Sequence, residues 1–131
     1  MDGDTVLVDE GEYFENLIIQ KSITLASNAI YDDLIEWVEF SMTFGEYQLL
    51  NDNIANTIIN GSQYTNGDSI QSSILINSPE DVCIEPLIYG FTITGGDGTL
   101  ISYLDEENKE IFEKRGGGFL SVDALPTFHY N

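Results

Sequence analysis

Short apolar runs separated by polar residues form the main pattern along this chain. The opening stretch, GDTVLVDEGEYFENLIIQKSITLAS, contains three such runs, at residues 5–8, 17–19 and 23–26. Runs that are rich in β-branched residues and bounded by Gly, Asn, Asp or Ser are typical of β-strands. The same pattern predicts about eight strands, at residues 5–8, 16–20, 22–27, 56–61, 73–78, 87–96, 116–122 and 126–131.

The arrangement of these strands predicts an all-β fold class. No regular helix is predicted between them, which argues against an α/β sheet with crossover helices. The runs repeat in form, with alternating β-branched residues followed by Ser, Asn or Gly. Repetition at a coarse period is typical of a solenoid. We therefore predict a parallel β-helix in which Asn28, Asn60 and Asn77 lie at corners and can stack on each other.

Two segments interrupt this pattern, at about residues 30–53 and 99–115. In the first, Asp33 followed by Glu36 resembles a capping box. One helical face of this segment would carry Leu34, Trp37, Val38, Ser41 and Met42. This favours a short helix or an irregular excursion, whereas the apolar residues at every second position from 38 to 44 alternate as in a strand. The second segment is predicted to be an acidic loop or short helix. Both are expected to be surface insertions in a single domain spanning residues 1–131.

The charge of the chain limits its partners. Twenty-three acidic residues and four basic ones give a net charge of -19. That field repels phosphate backbones, so nucleic acid and anionic membranes are poor partners. No apolar run is long enough for a membrane span, and no signal peptide is visible. The single cysteine, Cys83, lies in an apolar stretch and is expected to be a small core residue.

The opening stretch resembles the first turns of the pectin-lyase-like superfamily of right-handed parallel β-helix proteins. The shared pattern is Gly-Asp, a valine-rich strand, Gly-x-Tyr, then Glu-Asn and an apolar strand. The stretches TIINGSQ, IYGFTITGG and GGGFLSVDALPTFHYN resemble the following turns of large secreted bacterial surface proteins. The resemblance implies a right-handed coil and a secreted or cell-surface location. It also implies that residues 1–131 are the N-terminal part of a longer β-helix.

The resemblance also implies which catalytic residues an enzyme of this superfamily would need. The pectin-methylesterase branch uses a pair of Asp residues and an Arg, while polysaccharide lyases use an Arg or Lys base beside calcium. Lys114 and Arg115 are the matching cations here, but they are expected to neutralise Glu110 and Glu113 nearby. His129 is expected to be a strand residue with an exposed ring. No catalytic residue is therefore assigned in this chain.

Two types of binding residue are candidates. Acidic side chains that could hold Ca²⁺ through several oxygens are Asp97, Asp105, Glu106 and Glu107, with a second acidic group at Asp9, Glu10, Glu12 and Glu15. Neither group has a calcium-loop spacing, so the competing interpretation is a solvated acidic face. The aromatic candidates for carbohydrate contact, in or beside the first insertion, are Trp37, Tyr47 and Tyr64.

These observations favour a non-catalytic structural or recognition module of a secreted or cell-surface protein that contacts a polysaccharide or cell-surface glycan. One alternative is the N-terminal portion of a polysaccharide lyase or pectinesterase-like enzyme whose catalytic residues lie beyond residue 131. Another is a module that self-associates through uncapped β-helix ends, because the end of a solenoid exposes unpaired strand edges.

Overall fold

Short β-strands dominate the computed structural model, which describes residues 3–131. In chain order the strands are β1 Thr5–Val8, β2 Gly11–Tyr13, β3 Leu17–Ile19, β4 Thr24–Ser27, β5 Val38–Ser41, β6 Glu46–Leu49, β7 Thr57–Asn60, β8 Ile70–Gln71, β9 Ile74–Asn77, β10 Leu87–Tyr89, β11 Thr92–Thr94, β12 Gly98–Leu104, β13 Glu110–Arg115, β14 Phe119–Val122 and β15 Thr127–His129. Two short helices accompany them, a 3-10 helix at Asn28–Tyr31 and α1 at Asp52–Asn56. The predicted all-β class is confirmed.

Three parallel sheets organise the described chain. Their strand orders are β1-β4-β10-β15, β2-β7-β11 and β3-β9-β14. The first passage of the chain supplies β1, β2 and β3, the second supplies β4, β7 and β9, and the third supplies β10, β11 and β14. Each passage therefore adds one strand to each sheet in the same order, and β15 adds a fourth strand to the first sheet.

The main core lies between these sheets. Its fully buried members include Ile74, Ile76, Ile88 and Phe91, each 0% exposed. The strands are rich in β-branched residues because such side chains fit the pleated surface of a sheet. Successive side chains of a strand point to opposite faces, so alternate residues point toward the core. The strand register places core residues of successive passages on top of each other. For example, Leu25 of β4 and Ile88 of β10 are Cα partners in the first sheet.

The segment after β4 forms a second layer outside the first sheet. The 3-10 helix and α1 contribute a small cluster of Ala29, Leu34 and Ile54, against which Trp37, Tyr89 and Tyr130 pack. Between the helices, β5 and β6 form an antiparallel hairpin with Phe40 opposite Tyr47. The short helix favoured for residues 30–53 is therefore wrong over residues 38–49. The alternation of apolar residues indicated the strand that forms there.

The second interrupting segment is also a hairpin. Strands β12 and β13 pair along their length, from Thr99 opposite Arg115 to Leu104 opposite Glu110, and β8 pairs with the start of β12. The expected acidic loop or short helix is wrong. The backbone groups of this segment are instead satisfied by hydrogen bonds between the two strands, and the side chains alternate between the two faces of the hairpin. No helix among the described residues is both long and apolar enough to cross a membrane.

Polar residues at the corners link successive passages. The Asn28 side chain donates to Asp9 at 3.2 Å, and the Asn60 side chain donates to Glu12 at 2.7 Å. The predicted stack of Asn28, Asn60 and Asn77 does not form, because Asn28 follows a strand of the first sheet while the other two end strands of the second and third sheets. Asn60 is the register partner of Thr94, and Asn77 is the register partner of Val122. Buried Asn16 donates to the carbonyl oxygens of Gly61 and Ser72, which joins the third sheet to the loop that follows β7.

Cys83 is exposed, so its prediction as a core residue is wrong. It follows a turn in which the Val82 N–H donates to the Pro79 carbonyl, and its neighbour Ile84 is the residue that enters the core, at 2% exposure. The apolar context of the stretch belongs to the residues after the turn.

Candidate functional site

The three aromatic residues predicted to contact carbohydrate lie in different places. Trp37 is half-buried just before β5 and packs on the cluster outside the first sheet. Tyr47 is 74% exposed on β6, with its ring 5.1 Å from that of Phe40. Tyr64 is 37% exposed in the loop after β7 and has a left-handed backbone with φ of 50°. None of the ring contacts between described residues joins these three to one another.

Trp37 instead joins a group of rings contributed by the first sheet. Its ring lies 5.5 Å from that of Tyr130 with the planes at 88°. Tyr130 in turn lies 5.2 Å from Tyr89 and 6.0 Å from His129, and Tyr89 lies 6.2 Å from His129. We call Trp37, Tyr89, His129 and Tyr130 the aromatic cluster. Edge-to-face arrangements at these separations are favourable ring contacts.

Parallel register brings two members of the aromatic cluster together. Tyr89 ends β10 and His129 ends β15, and the two residues are Cα partners in the first sheet. Asn131 then fixes the segment that follows β15, since its side-chain amide donates to the Ile88 carbonyl and its side-chain oxygen accepts from the Phe91 N–H. Tyr130, which lies between His129 and Asn131 in the chain, adopts a left-handed backbone with φ of 54°. Its ring contacts those of Tyr89 and Trp37.

A carboxylate borders the aromatic cluster. Asp32 accepts hydrogen bonds from the side-chain amides of Asn51 at 2.9 Å and Asn53 at 2.7 Å. These bonds tie the 3-10 helix to the start of α1, while the Leu50 N–H donates to the Trp37 carbonyl and closes the excursion. The two amides, Asn51 first and then Asn53, lower the pKa of Asp32 because they stabilise its ionised form.

The phenol of Tyr89 responds to the same surroundings. Its pKa is raised from the ordinary value, first by burial, then by Tyr130, and then by the negative charge of Asp32. All three causes favour the neutral phenol, so Tyr89 keeps its hydroxyl proton at neutral pH. The site therefore combines apolar rings, a neutral hydroxyl donor and an ionised carboxylate.

Two cavities are relevant to binding. A shallow one of about 280 Å³ is lined by Trp37, Phe128, His129 and Tyr130, and it opens beside the aromatic cluster. Another, of about 300 Å³, is lined by residues of the first passage and by the core residues behind them: Val6, Val8, Tyr13, Glu15, Leu17, Leu25, Ile59 and Phe91. The second is an apolar extension of the core. The first offers rings together with polar groups, which is the composition of a small-molecule site.

The acidic residues predicted to hold calcium are not assembled into one site. Asp97 precedes β12 and Asp105 follows it, and at about 3.3 Å per residue the strand separates them by roughly 25 Å. Asp97 accepts from Lys114 at 2.6 Å, while Asp105 accepts from the N–H groups of Glu107 and Lys109 in the hairpin turn. Among residues 3–131, no three acidic, His or Cys side chains are grouped closely enough to hold a metal ion.

The cations of the second hairpin have structural partners. Arg115 pairs with Glu113, as predicted, and its guanidinium lies 5.4 Å from the centre of the Tyr103 ring. Lys114 reaches Asp97 and the Gln71 side chain instead of a glutamate. His129 is an exposed residue of β15, as predicted, and its ring belongs to the aromatic cluster.

Comparison with known proteins finds no match for this chain. No family model, curated protein or solved structure matches it.

Sequence reasoning identified Trp37 and missed its neighbours Tyr89 and Tyr130. One signal was available for both. Tyr89 and Tyr130 close the similar stretches LIY and TFHY, so aligning these two stretches would have placed both residues near the same edge. In the structure the register partner of Tyr89 is His129, and Tyr130 follows it. The contribution of Asp32 depends on Asn51 and Asn53, about 20 residues further along, and no local pattern indicates it.

Proposed function

We propose that the three parallel sheets are the faces of a right-handed parallel β-helix, and that this chain is a non-catalytic module that recognises glycans. The proposal of a coil is supported by the order in which the chain visits the sheets. A chain that adds one strand to each of three sheets, always in the same sequence, follows a coil. The right-handed sense and the secreted or cell-surface location follow from the resemblance to pectin-lyase-like proteins and stay predictions.

The aromatic cluster is the observation that supports glycan recognition. A sugar ring has apolar C–H faces and a polar rim, so it suits a site in which aromatic surfaces lie beside hydrogen-bonding groups. Trp37 and Tyr130 supply ring surface at the 280 Å³ cavity. The Tyr130 hydroxyl and the ring nitrogens of His129, which also line this cavity, can hydrogen-bond to the hydroxyl groups of the sugar.

Trp37 also supplies the test, because it is the one tryptophan of the chain. Cello-, xylo-, chito- and galacturono-oligosaccharides are titrated against the protein while tryptophan fluorescence is recorded. At least one sugar should shift the emission, since binding at the cluster changes the solvation of this ring. Trp37→Ala should weaken binding of that sugar by at least about 10-fold in calorimetry, or about 1.4 kcal/mol.

Tyr103→Ala is the control, because Tyr103 is an aromatic residue, 42% exposed, that lies on the second hairpin and outside the aromatic cluster. This variant should bind within about two-fold of the parent protein, and far-UV circular dichroism should show the same fold for all variants. If none of these sugars binds, or if Trp37→Ala and Tyr103→Ala bind equally well, the proposed recognition site is wrong.

The two alternative functions stay predictions. The lyase or esterase alternative places its catalytic residues beyond residue 131. Lys114 and Arg115 are each held in an ion pair, so neither adds support for a catalytic base among the described residues. Self-association is compatible with the exposed Val6 and Leu7 of edge strand β1, but nothing in the structure favours a second copy over another partner.

A further inference from the structure

We propose that the aromatic cluster selects glycans that carry a protonated amine, meaning amino sugars without N-acetyl groups, over neutral sugars and over uronates. This inference rests on the proposed function and specifies the substrate class of the same site. It depends on ring geometry, on the position of Asp32 and on the distribution of the chain's own cations.

The rings present surfaces that attract a cation. A cation within about 6 Å of an aromatic ring centre is drawn to the negative face of the ring, most strongly for Trp and then Tyr. Trp37 and Tyr130 both line the 280 Å³ cavity, and because the two rings meet edge to face at 88°, ring surface of two orientations borders it. A group in this cavity can therefore contact both rings.

A fixed negative charge adjoins the rings. Asp32 is held by the amides of Asn51 and Asn53. It lies in the chain between Ala29 and Leu34, two residues of the small cluster on which Trp37, Tyr89 and Tyr130 pack. Two further carboxylates of the same segment, Asp33 and Glu36, line a separate surface cavity together with Ile35. An ammonium group at the rings would be attracted by these carboxylates, while the carboxylate of a uronate would be repelled.

The ion pairs and the cation–π contact found within residues 3–131 lie away from this region. Lys114 is paired with Asp97 and Arg115 with Glu113, both at the second hairpin. The cation–π contact found in the described chain is that of Arg115 with Tyr103, also at this hairpin. None of these ion pairs or cation–π contacts includes a member of the aromatic cluster. Within the described residues, neither the rings nor Asp32 has a side-chain cation as an ion-pair or cation–π partner, so a cation of the ligand can take that place.

Charge-matched ligands test the inference. The trimer of glucosamine, the trimer of N-acetylglucosamine and trigalacturonic acid have the same length and carry positive, zero and negative charge at pH 7. Titrations followed by Trp37 fluorescence should show the glucosamine trimer binding about 10-fold more tightly than the N-acetylated trimer. The galacturonate trimer should bind least. Raising the salt concentration should weaken the glucosamine trimer selectively, because salt screens charge interactions.

Asp32→Asn separates a local effect from the general attraction of an acidic protein. Asparagine has the shape of Asp32 and can still accept from one neighbouring amide. This variant should lose about 5-fold in affinity for the glucosamine trimer and less than about two-fold for the N-acetylated trimer. Asp68→Asn removes one exposed charge in the loop after β7 and should leave both affinities unchanged.

The outcomes are distinguishable. Three outcomes would overturn the amino-sugar inference and leave glycan recognition standing. They are equal binding of the glucosamine and N-acetylglucosamine trimers, tighter binding of the galacturonate trimer, and equal losses of affinity in Asp32→Asn and Asp68→Asn. Tetramethylammonium binding as tightly as the glucosamine trimer would also overturn it, because the site would then recognise the ammonium without the sugar. If no sugar of either this set or the wider panel binds, the proposed function itself fails.

Discussion

Replacing Gly96 with alanine is expected to destabilise the protein by about 3 kcal/mol or more. A Cβ at this position would lie 1.8 Å from the carbonyl oxygen of Gly117 and 2.7 Å from the backbone nitrogen of Ser73. Those two atoms form a hydrogen bond of 3.0 Å that joins the second and third passages of the chain. Because both contacts are with backbone atoms, the clash cannot be relieved by a side-chain rotation. The bond between the passages must lengthen or break.

Urea unfolding followed by circular dichroism measures this loss, and Gly118→Ala is its matched control. Gly118 directly follows Gly117, whose carbonyl the Cβ at position 96 would meet, but a Cβ on Gly118 itself would meet only a methyl group of Ile93, at 3.9 Å. The control should change the free energy of unfolding by less than about 1 kcal/mol. Similar stabilities for Gly96→Ala and Gly118→Ala would contradict the close approach of the passages at Gly96.

Phe91→Ala is expected to cost about 3–5 kcal/mol, the range measured for large aromatic side chains removed from cores. Phe91 is 0% exposed and belongs to the cluster between the three sheets. Its removal leaves a cavity because close-packed neighbours relax only in part. The position also adjoins the 300 Å³ cavity near β1, so truncation would enlarge space that already exists.

The free energy of unfolding again provides the measurement, with Phe112→Ala for comparison. Phe112 is 60% exposed on β13, and its truncation should cost less than about 1 kcal/mol. A cost for Phe91→Ala that is no larger than the cost for Phe112→Ala would mean that Phe91 lies outside the core.

Most strands of the parallel sheets were predictable because their signal is local. Residues 5–8 match β1 in both bounds, and residues 73–78 contain β9. The run at 87–96 contains two strands, β10 and β11, because Gly90 between them adopts a left-handed backbone with φ of 79°. Strand β2 was missed, since GEY holds one large apolar residue and depends on its pairing with β7.

The hairpins were harder to predict because two periodicities compete within them. The apolar residues of 34–44 fit a helical face and also alternate as in a strand. The turn decides between the two, since Gly45 has φ of 66° and its N–H donates to the Ser41 carbonyl, which closes the connection between β5 and β6.

The aromatic cluster depends on contacts distant in sequence. Trp37 and Tyr130 are 93 positions apart, and they meet because β15 is in register with β10 and because the excursion after β4 folds over the same sheet. Register between distant strands is set by the fit of whole passages, so a single-sequence pattern identifies the residues without placing them together.

Nuclear Overhauser contacts between backbone protons of successive passages test the central claim of a parallel coil most directly. The coil predicts contacts that link Leu25 to Ile88 and Ile88 to Phe128 in the first sheet, and Leu75 to both Ile18 and Leu120 in the third, all with parallel-strand patterns. Antiparallel patterns at these pairs, or no contact between Leu25 and Ile88, would contradict it.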